Sequence, residues 1–116
     1  MQIGPKRVRR EKIILEPGRV VAVYTKEYFN HWPQIGEIMD IDEECITLQW
    51  YNATYTGICT KAMLDGKDWM DQISRDLIIS DPFMLTPSGK LPHAIVEVLK
   101  QQQVNLNIEL RRSIKD

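Results

Sequence analysis

The chain has 116 residues, of which 43% are hydrophobic and 27% are charged. This length and composition predict one compact domain with its own core, and they argue against a disordered linker. The 15 basic and 16 acidic residues give a formal net charge of −1. The chain as a whole therefore has no positive field that would attract nucleic acid.

Charge is unevenly distributed along the sequence. Residues 6–12, KRVRREK, are basic, whereas residues 37–44, EIMDIDEE, are acidic. If the protein contacts DNA, the basic arm is the expected contact, and the alternative is a solvated tail. The expected nucleic-acid-binding residues are Lys6, Arg7, Arg9 and Arg10.

No apolar stretch is long enough for a membrane helix, and the N-terminal residues do not have the pattern of a secretory signal. We therefore expect an intracellular, soluble protein that does not bind membranes. Cys45 and Cys59 fall within predicted strands and lack Cys-x-x-Cys spacing. Two buried, reduced thiols are expected rather than a disulfide or a zinc site.

The first half of the chain reads as three strands. Residues 16–18, EPG, predict a turn, and a first strand is predicted to follow it at 20–24. A loop containing Pro33 follows, and a second strand is predicted to begin at Gly36. After an acidic turn at 42–44, the third strand has strict alternation. The alternation places Ile46, Leu48 and Trp50 inward and Tyr51 outward.

The middle of the chain predicts two further strands. Residues 55–63 and 76–80 are rich in strand-forming residues. Between them, Asp65-Gly66 predicts a turn, and the spacing of Trp69 and Ile73 fits one helical turn against the core. Five short strands joined by tight turns indicate a small, strongly bent barrel.

The C-terminal part has a different periodicity. Pro92 suits the first turn of an amphipathic helix that packs on the barrel. Beyond it, residues 104–110, VNLNIEL, alternate strictly and predict an extra edge strand. That strand would pair with residues 12–15 or with a second chain, giving an oligomer. The expected packing face of the helix comprises Leu91, Ile95, Val98, Leu99 and Gln102.

Four segments follow from these patterns. They are a basic N-terminal arm at 1–16, a β-barrel at 17–80, a loop and packing helix at 81–103, and a C-terminal strand and tail at 104–116. The lysine-aspartate end and the basic start also suit a piece of a longer protein.

Nothing in the sequence supplies catalytic chemistry. His31 and His93, the two histidines, have no spacing typical of a metal site or of a base beside a nucleophile. No glycine-rich phosphate-binding loop is present. We therefore expect a protein that is not an enzyme, with no catalytic residue, no metal and no cofactor.

The elements at 17–80 resemble the Tudor-like, Src-homology-type barrels of chromatin readers. The sequence GRVVAVY, then Asn30-His31-Trp32-Pro33, then a strand ending in WYNAT resembles the PWWP domain most closely. Asn30 stands where that signature begins with proline, and two residues are added before Gly36. The spacing from Trp50 to Tyr55 is similar to part of the BAH domain. Residues 83–92, FMLTPSGKLP, and Trp69 are less closely similar to modules of transposon-derived proteins.

The resemblance implies a nuclear, chromatin-associated protein that binds a methylated lysine or arginine of a histone-like peptide. In such barrels an aromatic cage holds the cation by cation–π attraction and burial of methyl groups. Glu27 or Asp40 would meet the ammonium charge, and the basic arm would add weak contact to DNA. Carried over by position, the cage residues are Tyr24, Tyr28, Phe29, Trp32 and Tyr51.

Each aromatic residue also has a purely structural interpretation, because a small barrel has few large residues to fill it. Trp50 is expected in the core and Trp69 between barrel and helix, whereas Trp32 fits core and cage equally well. The alternative function is a protein–protein assembly domain of a larger nuclear protein, such as a transposon-derived one.

Overall fold

In a computed structural model, residues 14–25 and 32–115 are described, with 106–115 described by their backbone alone. The fold is mainly β: antiparallel sheets are followed by one C-terminal helix. Within the described residues, no helix is long and apolar enough to span a membrane. The strands are β1 (Val20–Ala22), β2 (Ile35–Ile41), β3 (Cys45–Asn52), β4 (Thr60–Lys61), β5 (Met63–Leu64), β6 (Lys67–Asp68) and β7 (Met70–Ser74).

The central strand of the main sheet is β3. One of its edges pairs with β2, which in turn pairs with β1, while β7 and β4 pair with β3 as well. The acidic turn between β2 and β3 is closed by a hydrogen bond from the Asp42 amide to the Cys45 carbonyl, at 2.8 Å. These contacts confirm the first three predicted strands and the turn at 42–44.

A close backbone approach fixes β2 on β3. Gly36 lies opposite Trp50, and a Cβ at Gly36 would lie 3.1 Å from the Gln49 carbonyl oxygen and 3.2 Å from the Leu48 side chain. These distances are shorter than most Cβ contacts, so a side chain at position 36 would push the two strands apart.

The middle of the chain differs from its prediction. Residues 53–59 are irregular, and only 60–61 of the predicted fourth strand join the main sheet. The turn at Asp65-Gly66 instead closes a two-stranded hairpin of β5 and β6, with both residues at positive φ. Trp69 and Ile73 were wrongly predicted to share a helical turn, because 70–74 pair with β3 as strand β7.

The predicted fifth strand at 76–80 is not formed as a regular strand: its first two residues belong to a 3-10 helix, Arg75–Leu77, which the Ser74 side chain caps, and Ile78 makes only an isolated bridge. Residues 77–83 still run beside β1, with bridges at Val23–Ile78 and Val20–Phe83. Because the hydrogen-bonded pairing is interrupted at the 3-10 helix, no closed barrel is found among the described residues.

The C-terminal helix α1 extends over His93–Lys115, so the predicted strand at 104–110 is wrong. The alternation of VNLNIEL also repeats apolar residues four positions apart, as in Val104 and Ile108, which suits a helix already begun at residue 93. No strand is therefore available at 104–110 for edge pairing with another chain.

Leu99 of α1 and Leu91, which precedes the helix, are buried as predicted, but one position of the expected face was wrong. Val98 is exposed, whereas Val96 is buried in its place. The backbone carbonyl of Pro92 accepts hydrogen bonds from the amides of Ile95 and Val96, at 3.0 Å each, which opens the helix.

Apolar residues on the two faces of the sheet form two buried clusters. Strand alternation produces this arrangement, because neighbouring residues point to opposite faces. Cys59 is buried and Cys45 half-buried, and both are free thiols, so Cys45 is less buried than predicted. The helix-side cluster consists of Val20, Ala22, Ile35, Cys59, Phe83, Leu91, Val96 and Leu99; the opposite cluster consists of Val21, Val23, Ile38, Ile46, Leu48, Trp50, Ala62 and Ile73.

Candidate aromatic groove

A groove of about 220 Å³ lies where β3 ends. It is built from three parts of the chain: the entry to β2, the end of β3, and the residues on either side of the β5–β6 hairpin. Its aromatic lining combines two predicted cage residues, Trp32 and Tyr51, with Trp50 and Trp69. The remaining lining residues are Pro33, Gln34, Asn52, Ala53 and Ala62.

The entry to β2 is fixed by a buried amide. The Gln34 side-chain oxygen accepts hydrogen bonds from the Thr25 amide at 3.0 Å and from the Thr25 hydroxyl at 2.8 Å. The Gln34 Nε2 donates back to the Thr25 carbonyl at 3.1 Å. Both residues are buried, so these bonds are strong relative to exposed ones. These hydrogen bonds fix the segment that contains Trp32 and Gln34 next to Thr25, which follows β1.

Trp32 is half-buried and packs against the helix-side cluster. Its indole Nε1 donates a hydrogen bond to the Tyr55 hydroxyl at 3.0 Å. Tyr55 in turn donates to the side-chain oxygen of Gln103 in α1 at 2.6 Å. Trp32 therefore lines the groove and also contacts the core beneath the helix. Its position fits both the core and the cage interpretation.

Tyr51 is half-buried, although alternation predicted an outward side chain. Its hydroxyl donates a hydrogen bond to Glu37 Oε1 at 3.1 Å. Burial raises the pKa of Tyr51 above its usual value of 10.0, and the negative charge and hydrogen bond of Glu37 raise it further. The tyrosine thus presents a neutral ring to the groove.

Trp50 is 5% exposed and belongs to the core cluster opposite the helix, as predicted. Its ring centroid lies 6.2 Å from that of Trp69, with the ring planes inclined at 55°, a favourable geometry for an aromatic pair. The Trp50 Nε1 donates to Asp71 Oδ2 at 3.2 Å. Trp69 is half-buried and packs beside Trp50, so it forms one side of the groove rather than contacting the helix-side cluster.

Sequence reasoning missed Trp50 and Trp69 as groove residues. The Trp69 amide donates to the Ala62 carbonyl at 3.0 Å, and the Trp50 amide donates to the Trp69 carbonyl at 2.9 Å. The Asp65-Gly66 turn places 62 opposite 69 and thereby carries Trp69 to β3. That dipeptide is a strong hairpin signal, and it could have predicted this approach.

The other predicted site residues lie elsewhere. Tyr24 is half-buried at the end of β1, where its amide donates to the Leu77 carbonyl at 2.9 Å, and it is not among the described residues that line the groove. Asp40 is exposed on β2 opposite Thr47. Tyr28, Phe29, Glu27 and the basic residues Lys6, Arg7, Arg9 and Arg10 lie outside the described residues.

The groove combines aromatic rings with nearby carboxylates. Its aromatic faces carry partial negative charge, and two of its rings are hydrogen-bonded to carboxylates, Tyr51 to Glu37 and Trp50 to Asp71. Within residues 14–25 and 32–115, no cluster of three or more metal-ligating side chains is found.

Comparison with known proteins gives one partial match. The chain is 29% identical over 85 residues to the Nipped-B-like protein of Mus musculus. The match covers 70% of this chain but 3% of the length of that protein. No family model matches the chain, and no solved structure matches it. The chain therefore has a distant, partial likeness to the Nipped-B-like protein, without a family assignment.

Proposed function

We propose that this chain contains a non-catalytic binding module that recognises a methylated lysine or arginine of a histone-like peptide. The observation that carries this proposal is the groove at the end of β3, where Trp32, Tyr51, Trp50 and Trp69 lie together. Trp32 and Tyr51 were assigned to a cage by resemblance, and their presence in one groove supports that assignment.

Methylation explains why such a groove would select its ligand. A methylated ammonium keeps its charge, sheds part of its hydration, and offers methyl groups that can be buried against rings. Each well-placed ring adds about 0.5–2 kcal/mol of cation–π attraction. Glu37 and Asp71 add negative charge at the Tyr51 hydroxyl and the Trp50 indole nitrogen, with which they form hydrogen bonds. An unmodified lysine gains less, because its ammonium is strongly hydrated.

The proposal includes a Tudor-like arrangement of the strands, although the hydrogen-bonded sheet does not close into a barrel among the described residues. A 3-10 helix separates β7 from the segment at 77–83, and that segment returns to β1. We also propose a nuclear, chromatin-associated protein. The comparison that bears on this proposal is the weak similarity to the Nipped-B-like protein.

The test is a titration with peptides that differ only in the methylation of one lysine or arginine, followed by intrinsic tryptophan fluorescence. We expect methylated forms to bind and unmodified forms to bind more weakly. Trp69→Leu removes the ring but keeps a smaller apolar side chain, and it should weaken binding about tenfold. Met63→Ala, on the exposed hairpin beside the groove, is the matched control and should leave affinity unchanged.

A second function, a protein–protein assembly domain, is favoured by two observations. Trp32 packs against the helix-side cluster, and the β5–β6 hairpin with the start of β7 exposes Met63, Leu64 and Met70. If no methylated peptide binds and Trp32→Leu mainly lowers the melting temperature, the assembly function replaces the reader function.

Contact with DNA through the basic arm is a separate part of the proposal. Replacing Lys6, Arg7, Arg9 and Arg10 together with glutamine should abolish binding to a DNA duplex. Binding by the unmodified chain should weaken steeply with salt, because counterion release drives such contacts. An affinity that does not change with salt would contradict this contact.

A further inference from the structure

A hydrogen-bonded chain joins the groove to the C-terminal helix. It runs from Trp32 through Tyr55 to Gln103, with donor–acceptor distances of 3.0 and 2.6 Å. The three residues come from the entry to β2, the irregular segment after β3, and α1. Tyr55 is separated by 23 residues from Trp32 and by 48 from Gln103. No local sequence pattern requires this contact, so it depends on the fold.

The direction of the chain follows from the chemistry of its groups. An indole Nε1 is a donor only, so the Tyr55 hydroxyl must accept from Trp32. The tyrosine has one proton, and it is donated to the Gln103 carbonyl oxygen. Each bond polarises the next in a partly buried chain, which strengthens both. Loss of the acceptor on Gln103 would free the Tyr55 proton and relax the alignment of its oxygen with Trp32.

The middle residue of this chain is held from several sides. The Tyr55 ring packs against the helix-side cluster, and Lys100 Nζ lies 5.6 Å from its centroid, within the range of a cation–π contact. Leu99, next to Lys100, is completely buried. The helix therefore holds Tyr55 and Gln103 in place relative to the sheet.

We propose that Tyr55 and Gln103 are positioning residues that set the orientation of the Trp32 indole, so that α1 is a structural part of the groove. The effect on ligand affinity rests on the function proposed above. The orientation of Trp32 does not, because it can be measured without a ligand.

Three variants test this positioning role. Gln103→Leu removes the acceptor, Gln103→Glu replaces the amide oxygen with a carboxylate oxygen that can still accept, and Tyr55→Phe removes the hydroxyl while keeping the ring. Gln101→Leu, at an exposed position of the same helix, is the matched control. The indole N–H resonance of Trp32 is assigned with Trp32→Phe and followed by NMR. Affinity for the methylated peptide is measured in parallel.

Gln103→Leu and Tyr55→Phe should shift the Trp32 resonance, speed its solvent exchange, and weaken peptide affinity about three- to tenfold. Gln103→Glu and Gln101→Leu should resemble the unmodified chain in both measurements. An unchanged resonance in Gln103→Leu would overturn the proposal, and so would a shifted resonance with unchanged affinity. If the unmodified chain binds no peptide, the proposed function fails, and the resonance alone then decides whether the pair orients Trp32.

Discussion

Tyr51 combines a role in the groove with a measurable dependence on pH. Its hydroxyl is partly buried and donates to Glu37, and both features favour the neutral phenol. The pKa of Tyr51 is therefore higher in the folded chain than its usual value of 10.0 in an unfolded one. A proton is consequently held more tightly by the folded state.

This difference predicts a loss of stability at alkaline pH. Between the unfolded and folded pKa values, unfolding releases a proton, so the free energy of unfolding falls as pH rises above about 10. The contribution of Tyr51 is complete below that pH. Tyr51→Phe should show a shallower fall in chemical denaturation measured from pH 8 to 11.

The comparison with Tyr51→Phe measures the contribution of the Tyr51 hydroxyl and of its interactions. Burial also raises the pKa of Cys59, and the charge of Cys59 is one of the causes of the raised pKa of Tyr51, so the difference between the two proteins includes this interaction. Parallel curves for the two proteins throughout the alkaline range would show that Tyr51 does not contribute.

Alternation correctly placed Ile46, Leu48 and Trp50 in the core, yet it missed Gln49. Gln49 is 1% exposed, and its Nε2 donates to the carbonyls of Trp50 and Ala62 at 3.0 Å each. Polarity predicted a solvated side chain at this position. Gln49 is buried because residues distant in sequence cover β3. The alternation of polar and apolar residues along one strand does not reveal such long-range contacts.

At the scale of elements, helix α1 shows what periodicity could and could not predict. Its start near Pro92 and the burial of Leu99, together with that of the preceding Leu91, followed from the sequence. The switch to strict alternation at 104–110 suggested a strand, because the same residues satisfy both periods over a short range. Continuation of a helix already begun decides the outcome.

Adjacent residues of α1 provide a direct test of its packing face. Leu99 is completely buried, whereas Val98 is 39% exposed. Leu99→Ala should lower the free energy of unfolding by about 2–5 kcal/mol, because it leaves a cavity in the helix-side cluster. Val98→Ala should change it by about 0.5 kcal/mol or less. Urea denaturation followed by tryptophan fluorescence measures both, and equal losses would contradict the assigned face.

At the scale of the molecule, the two faces of the sheet are covered in different ways. The curved sheet packs its own residues, such as Leu48 and Ile73, on one face, whereas the other face depends on α1. The sequence predicted a barrel followed by a separate packing helix. The groove was only partly predictable. Trp32 and Tyr51 were identified by resemblance, whereas Trp69 reaches β3 only because the β5–β6 hairpin folds back.

Because α1 completes a core cluster, we predict that a chain ending at Pro92 will not fold. It would leave the apolar side chains of Val20, Ala22 and Ile35 without the helix residues that now pack against them. A chain ending at Asn105 keeps Val96, Leu99 and Gln103, and it should retain a cooperative thermal transition close to that of the full chain.

Differential scanning calorimetry and the dispersion of amide NMR signals measure the difference between the two shortened chains. If the chain ending at Pro92 melts cooperatively at the same temperature, α1 is not part of the core. If the chain ending at Asn105 is also unfolded, residues beyond it contribute to stability, and the folded unit is longer than the contacts of α1 indicate.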